Sequence, residues 1–336
     1  MDAVTPVRSM RQLARRAAAF VGLGLVLYAL LFAAAEQLVQ RTGHANPLFR
    51  IGATREQAVD WLVLGTSHAM PLAFGDTEAV VRRRTGLQLL NLAAPGTGPL
   101  YNRFVLEQFL RERRAGNLLF VVDSFAFYSR TWNEDRFGDA KLLARTPYRP
   151  VLAAGLWDFV RDDGVSPRAL ADYATGFSKI NNRDRFKPDR WEGEAQFERA
   201  WRPSVSAVKK RVAYLYPDGT PPAALDRSLA QLSRLLALAQ GAGMRIVVVK
   251  LPTPAQYRSQ LPQEAQFDAA LDRVLGAAGV PLHDWSAALP EARFYFDSDH
   301  LNRAGVNELL ARHLLPVLAS KPARHGAGTT LWRDVN

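Results

Sequence analysis

Cysteine is absent from all 336 residues, so neither a disulfide framework nor a thiolate metal site is available. Histidine is scarce, and His44, His283, His313 and His325 have no partners at ligand spacing; we expect no metal and no cofactor. The glycines form no phosphate cradle, because Gly96-Thr97-Gly98 lacks the lysine and the pattern that should follow. Internal repeats and low-complexity tracts are missing too. Acid is in short supply: Lys and Arg outnumber Asp and Glu 43 to 32, a net charge of +11. That field favours polyanions. Since Arg82–Arg84, Arg111–Arg114, Lys179–Arg190 and Lys209–Arg211 come with no nucleic-acid motif, we read them as solvated faces. An acidic glycan or a membrane surface is the expected partner, and nucleic acid is not.

One long stretch lacks charge altogether. Residues 1–16 carry Arg8, Arg11, Arg15 and Arg16 against Asp2, and an unbroken apolar run then extends from Ala17 to Ala35. As a helix that run rises about 28 Å, close to the thickness of a bilayer core. Arginines before the run, with few basic residues just after it, predict an amino terminus in the cytoplasm and the rest across the membrane. We therefore expect a basic tail (1–16), a transmembrane anchor (17–35), a polar linker (36–57), a catalytic domain (58–320) and a terminal tail (321–336). Ala33-Ala34-Ala35 also fits a signal-peptide cleavage pattern, and secretion after cleavage near Ala35 stays open. The run is longer than a signal core, which favours the anchor on the periplasmic face of the inner membrane.

From Ala58 onward, strands and helices alternate. Trp61–Leu64, Leu87–Leu92, Leu118–Val122, Met244–Val249 and Val280–Asp284 read as strands. Thr77–Arg84, Leu100–Arg114, Ala223–Gln240 and Asn302–Leu318 read as helices. The rhythm predicts an α/β fold with a doubly wound, mostly parallel sheet. Residues 135–222 break it, and we expect an irregular, partly helical insertion that either shapes the substrate or meets a partner.

Two segments carry chemistry. Trp61-Leu62-Val63-Leu64-Gly65-Thr66-Ser67-His68 ends a strand at a glycine and presents Ser67 where ligands gather in such sheets. Asp297-Ser298-Asp299-His300 sets an acid three residues before a histidine. Serine needs a base within reach and the base needs an orienting acid, so Ser67, His300 and Asp297 are the candidate nucleophile, base and acid. Asp299 is a lesser candidate for the acid. The Ser67 amide, near a helix start, is a candidate oxyanion donor. Taken singly, Gly-Thr-Ser is an ordinary helix cap and His300 an ordinary surface residue.

At these residues the chain resembles the SGNH (GDSL-like) hydrolase family. Threonine stands at Thr66 where that family has aspartate, and Asp297 and His300 match its terminal Asp-x-x-His. The resemblance implies a three-layer, flavodoxin-like α/β/α fold, with Gly96 after Asn91 as a second oxyanion donor. The family's third-motif asparagine is missing from Val121-Val122-Asp123-Ser124, leaving Ser124 as a weak substitute. Gly65-Thr66-Ser67-His68 behind a membrane anchor is similar to exported members that O-acylate cell-surface polysaccharides, of the alginate-acetylation type, and to D-alanylation proteins. The resemblance thus implies an esterase or O-acyltransferase acting on acyl groups, such as acetyl, of a cell-surface glycan, with a membrane-bound acyltransferase as partner. A catalytically degenerate partner protein is the alternative.

Overall fold

The computed structural model describes residues 6–320; the expected tail 321–336, with His325, and the first five residues of the basic tail lie outside them. Five strands form the sheet: β1 (Ala58–Leu64), β2 (Leu89–Asn91), β3 (Arg114–Val121), β4 (Arg245–Lys250) and β5 (Leu282–Asp284). Their order is β2-β1-β3-β4-β5, and every pairing is parallel. The direction of winding reverses between β1 and β3, so the loops leaving these two strands flank a crevice.

Central strands of a parallel sheet are covered on both faces and read as continuous apolar runs. Their side chains still alternate. Leu62, Leu64, Leu118, Phe120, Ile246 and Val248 enter one core. It is completed by α4 (Pro99–Glu112), α10 (Pro222–Gly241), the short α11 (Ala255–Arg258) and α12 (Glu264–Ala278). Trp61, Val63, Leu119, Val121, Val247 and Val249 enter the other. That side carries α3 (Thr77–Thr85), α13 (Arg303–Leu309) and α14 (Leu315–Ala319). The fold is a three-layer α/β/α sandwich. Helix α12 is not among the sequence-based elements, although Phe267, Ala270, Leu271 and Leu275 give it a buried stripe.

The expected closing helix over 302–318 is interrupted. A wide π-type turn at Leu310–Leu314 separates α13 from α14. Pro316 follows, and without an N–H it cannot donate to the preceding turn.

The insertion holds no strand. It is helical at α5 (Ala140–Leu143), α6 (Pro150–Asp162), α7 (Pro167–Thr175), α8 (Phe177–Ile180) and α9 (Val205–Leu215). Phe159 packs edge-on against Phe104 of α4 at 5.1 Å, fixing the helical part to the sandwich. The irregular stretch 181–204 then crosses to the other core, where Phe197 is buried.

The residues expected as a polar linker are structured. Helix α1 (Pro6–Thr42) runs through the apolar segment and beyond it, and α2 (Pro47–Ala53) follows. Ala35 and Val39 are buried, and Glu36 forms an ion pair with the buried Lys179. Asn46 caps α2 by accepting from the Leu48 and Phe49 amides at 2.9 and 3.1 Å, and Pro47, Leu48, Phe49 and Ile51 are buried. Polar residues here are partnered within the fold, which composition alone does not reveal.

Candidate active site

Gly65 ends β1 with φ of +149°, and a Cβ there would lie 2.8 Å from the Val121 backbone and side chain. Only glycine lets β1 and β3 approach so closely. The chain then turns into a short 3-10 segment, Ser67–Ala73, capped by Thr66, whose hydroxyl accepts from the His68 amide at 3.2 Å. The turn presents the Ser67 hydroxyl at the mouth of the crevice.

The loop before α13 arrives from the opposite end of the chain. His300 Nε2 lies 2.9 Å from Ser67 Oγ. Its Nδ1 lies 3.0 and 2.9 Å from the two oxygens of Asp297. Asp297 Oδ1 also accepts the amides of Asp299 and His300, at 3.0 and 2.8 Å, which fixes the loop in one turn. This network assigns the proton of the neutral ring to Nδ1, so that Nε2 accepts from the serine hydroxyl. The three residues that the spacing nominated are therefore in one hydrogen-bonded line.

Asp299, the second candidate acid, faces elsewhere. Its Oδ1 is 3.6 Å from His300 Nδ1, whereas Oδ2 receives His68 Nε2 at 3.0 Å and Arg211 Nε at 2.7 Å. Ser298 donates to Oδ1 at 2.8 Å. His68 Nδ1 meets Asp123 Oδ1 at 2.6 Å, and Thr66 donates to Asp123 Oδ2 at 2.5 Å. Both nitrogens of the His68 ring face carboxylates, so both carry protons and the ring is an imidazolium. Burial by itself would lower the His68 pKa, but the charges and hydrogen bonds of Asp123 and Asp299 outweigh it and raise it to about 10. Asp299 is likewise buried, and the neighbouring cations still hold its carboxyl well below the usual range.

This second network, His68, Asp123, Asp299 and Arg211, is absent from the sequence-based assignment except for Asp299. Arg211 comes from α9 in the insertion, so the insertion completes the site. It also supplies Trp191, whose ring centroid is 4.8 Å from that of His300, while Phe296 stacks on His300 at 5.4 Å. Beneath this cover Ser67 is 3% and His300 1% exposed.

Two backbone amides are free to act as donors. Among the described residues neither the Ser67 nor the Gly96 amide has a protein acceptor. The turn containing Gly96 is tied to the end of β1 by Thr97 Oγ1, which donates to the Gly65 carbonyl at 2.9 Å. Gly96 has φ of +58°, and a Cβ there would meet the Trp132 ring at 2.7 Å. Ser124 does not serve as its position suggests. Its hydroxyl donates to Glu264 Oε2 at 2.5 Å and lies 2.7 Å from the Tyr216 hydroxyl, which leaves it no hydrogen for an oxyanion.

Among the described residues, His68, Asp299 and His300 bring ligand-type atoms within 4.8 Å of one another. Arg211 and His68 already supply the positive charge at Asp299, and His300 is engaged by Ser67 and Asp297, so the donor set does not suit a cation. A cleft of about 520 Å³ opens beside the Ser67 turn, lined by Met70 and Phe74 and by charged residues of both signs, Arg41, Arg50 and Arg190 with Asp189 and Glu194. Phe74 touches Trp191 at 6.0 Å between centroids, so one aromatic wall separates this cleft from His300.

No protein-family model matches the sequence, and no curated protein matches it either. A solved structure of a candidate acylhydrolase from Bacteroides fragilis is similar over 80% of this chain and 90% of its own, at 11% identity and a TM-score of 0.37. At those values the likeness does not bear on the chemistry, which rests on the hydrogen-bonded line through Ser67.

Proposed function

We propose that this chain is a serine acyl esterase or O-acyltransferase held at a membrane, acting on acyl groups of a cell-surface glycan. The observation that carries the chemistry is the continuous line Asp297–His300–Ser67. As Ser67 Oγ attacks an acyl carbonyl, His300 Nε2 takes its proton, and Asp297 stabilises the imidazolium. The Ser67 and Gly96 amides receive the oxyanion. His300 then protonates the departing alcohol, leaving an acyl-serine. In the second half an acceptor hydroxyl or water, deprotonated by His300, takes the acyl group and restores the serine. No residue of this route needs a cofactor.

The apolar run supports a membrane location. Residues 10–42 form a helix with mean hydropathy 2.3 in its most apolar window, none of which is buried against the protein. Arg11, Arg15 and Arg16, just before the apolar run that starts at Ala17, favour a cytoplasmic amino terminus and an exported domain. A membrane-bound acyltransferase is the partner that would load the serine. One observation favours the degenerate reading: the third-motif side-chain donor has no replacement in Ser124. Losing one such donor costs about 3–4 kcal/mol of transition-state stabilisation, which slows such a reaction without changing its type.

A fluorophosphonate probe tests the chemistry. It should label the protein at Ser67, and labelling that persists in Ser67→Ala, or is absent from the wild type, rejects the reading. Trp191 bears on hydrolysis against transfer. With the wall over His300 removed, Trp191→Ala should raise the ratio of hydrolysed to transferred acyl groups several-fold when an acetyl ester and a glycan acceptor are supplied together. An unchanged ratio would mean that Trp191 does not keep water from the acyl-serine.

A further inference from the structure

Helix α1 is too short, where it stands free, to carry the domain clear of a bilayer. Residues 17–31 are all exposed and rise about 22 Å, against a hydrocarbon core of about 30 Å. Arg15 and Arg16 bound this stretch on one side. Snorkelling of their side chains recovers about one turn, roughly 5 Å, and helix tilt only lengthens the path. The far boundary of the hydrocarbon therefore falls at or beyond Phe32, where the helix is already joined to the domain.

The join is tight. Phe32 meets the Tyr148 ring edge-on at 5.5 Å and lies so close to Gly176 that no side chain fits there. Glu36 accepts the Tyr148 amide at 3.0 Å and pairs with Lys179. Arg145 donates to the Thr42 hydroxyl at 2.6 Å, and the Asp189 amide donates to the Thr42 carbonyl at 2.8 Å. At the Phe32 level the insertion presents two aromatics outward, Tyr148 at 38% and Phe177 at 60% exposed. Aromatic rings at that height match the interfacial zone, where one face meets acyl chains and the other meets headgroups.

From this we infer that the edge of the insertion formed by Tyr148 and Phe177 is a lipid-contacting surface that seats the domain on the bilayer. The inference rests on reading α1 as membrane-spanning. It gives the insertion a second task beside supplying Arg211 and Trp191, and it fixes the height of the cleft beside the Ser67 turn above the membrane, since Arg41 lines the cleft and belongs to the same helix.

Because the chain has no cysteine, one nitroxide can be placed at will. The full chain in phosphatidylglycerol–phosphatidylethanolamine nanodiscs, spin-labelled at Leu23→Cys, Phe177→Cys or Asp272→Cys, would be read by collision with oxygen, which prefers lipid, and with a nickel chelate, which prefers water. We expect the oxygen-to-nickel ratio at Phe177 to exceed that at Asp272, on exposed α12 surface, several-fold, with Leu23 higher still. A lipid-like Leu23 with a Phe177 ratio equal to that of Asp272 overturns the seating while keeping the span. A water-like Leu23 removes the span and the seating together. Because Phe177 is exposed, its replacement leaves the core intact, and an unchanged thermal midpoint verifies this.

Discussion

Replacing Ser67 by alanine should reduce kcat toward an activated acetyl ester by roughly 10^6-fold, the scale on which a triad serine acts. The protein should stay folded, because the Ser67 side chain bonds only to His300 and the cap of the turn is Thr66. Asp297→Asn should cost about 10^4-fold by favouring the wrong tautomer of His300. The two aspartates are expected to separate by readout. Asp297 is 42% exposed at its side chain and its loss should appear in kcat, whereas Asp299 is fully buried between two cations and its loss should appear chiefly in stability. Hydrolysis of a chromogenic ester and a denaturant melt measure the two. A Ser67→Ala protein retaining more than a hundredth of wild-type turnover would rule out Ser67 as the nucleophile.

The sequence reveals what depends on pattern and conceals what depends on distance. The inner strands are legible because burial on both faces leaves uninterrupted runs such as Ile246-Val247-Val248-Val249. Asp297 and His300 are legible because one turn of chain joins them. The second network is not. His68 stands beside Ser67 in the same motif, yet its partners Asp123 and Asp299 are 55 and 231 residues away. Arg211 looks like one of three solvated cations, but on α9 Lys209 and Lys210 face outward while the Arg211 guanidinium reaches Asp299. Polarity likewise misleads at 36–57, where Glu36, Thr42 and Asn46 hold the first helices to the insertion through bonds to Lys179, Arg145 and Thr146. Helix α12 hides because its stripe is narrow and partly alanine.

Removing the His68 cation should weaken the fold more than most single changes. In His68→Gln the amide can donate to only one of the two carboxylates and turns its oxygen toward the other. Breaking such a buried pair costs about 3–5 kcal/mol. The pKa gives a similar scale: a rise from 6.5 to about 10 corresponds to a contribution on the order of 5 kcal/mol. The sign follows from proton counting. Above pH 6.5 the unfolded chain releases the histidine proton while the folded chain keeps it, so each further unit of pH favours unfolding. The contribution is complete below pH 6.5 and is lost as pH rises through about 10. The gap between wild type and His68→Gln should therefore be widest near pH 6 and shrink toward pH 10 in urea melts. Adding Asp123→Asn to His68→Gln removes a stranded carboxylate and should recover part of the loss, which a merely steric role for the ring does not predict. A gap that stays constant from pH 6 to pH 10 would mean that the ring is neutral, leaving the Arg211 guanidinium, 2.7 Å from Asp299 Oδ2, to hold that carboxylate away from His300.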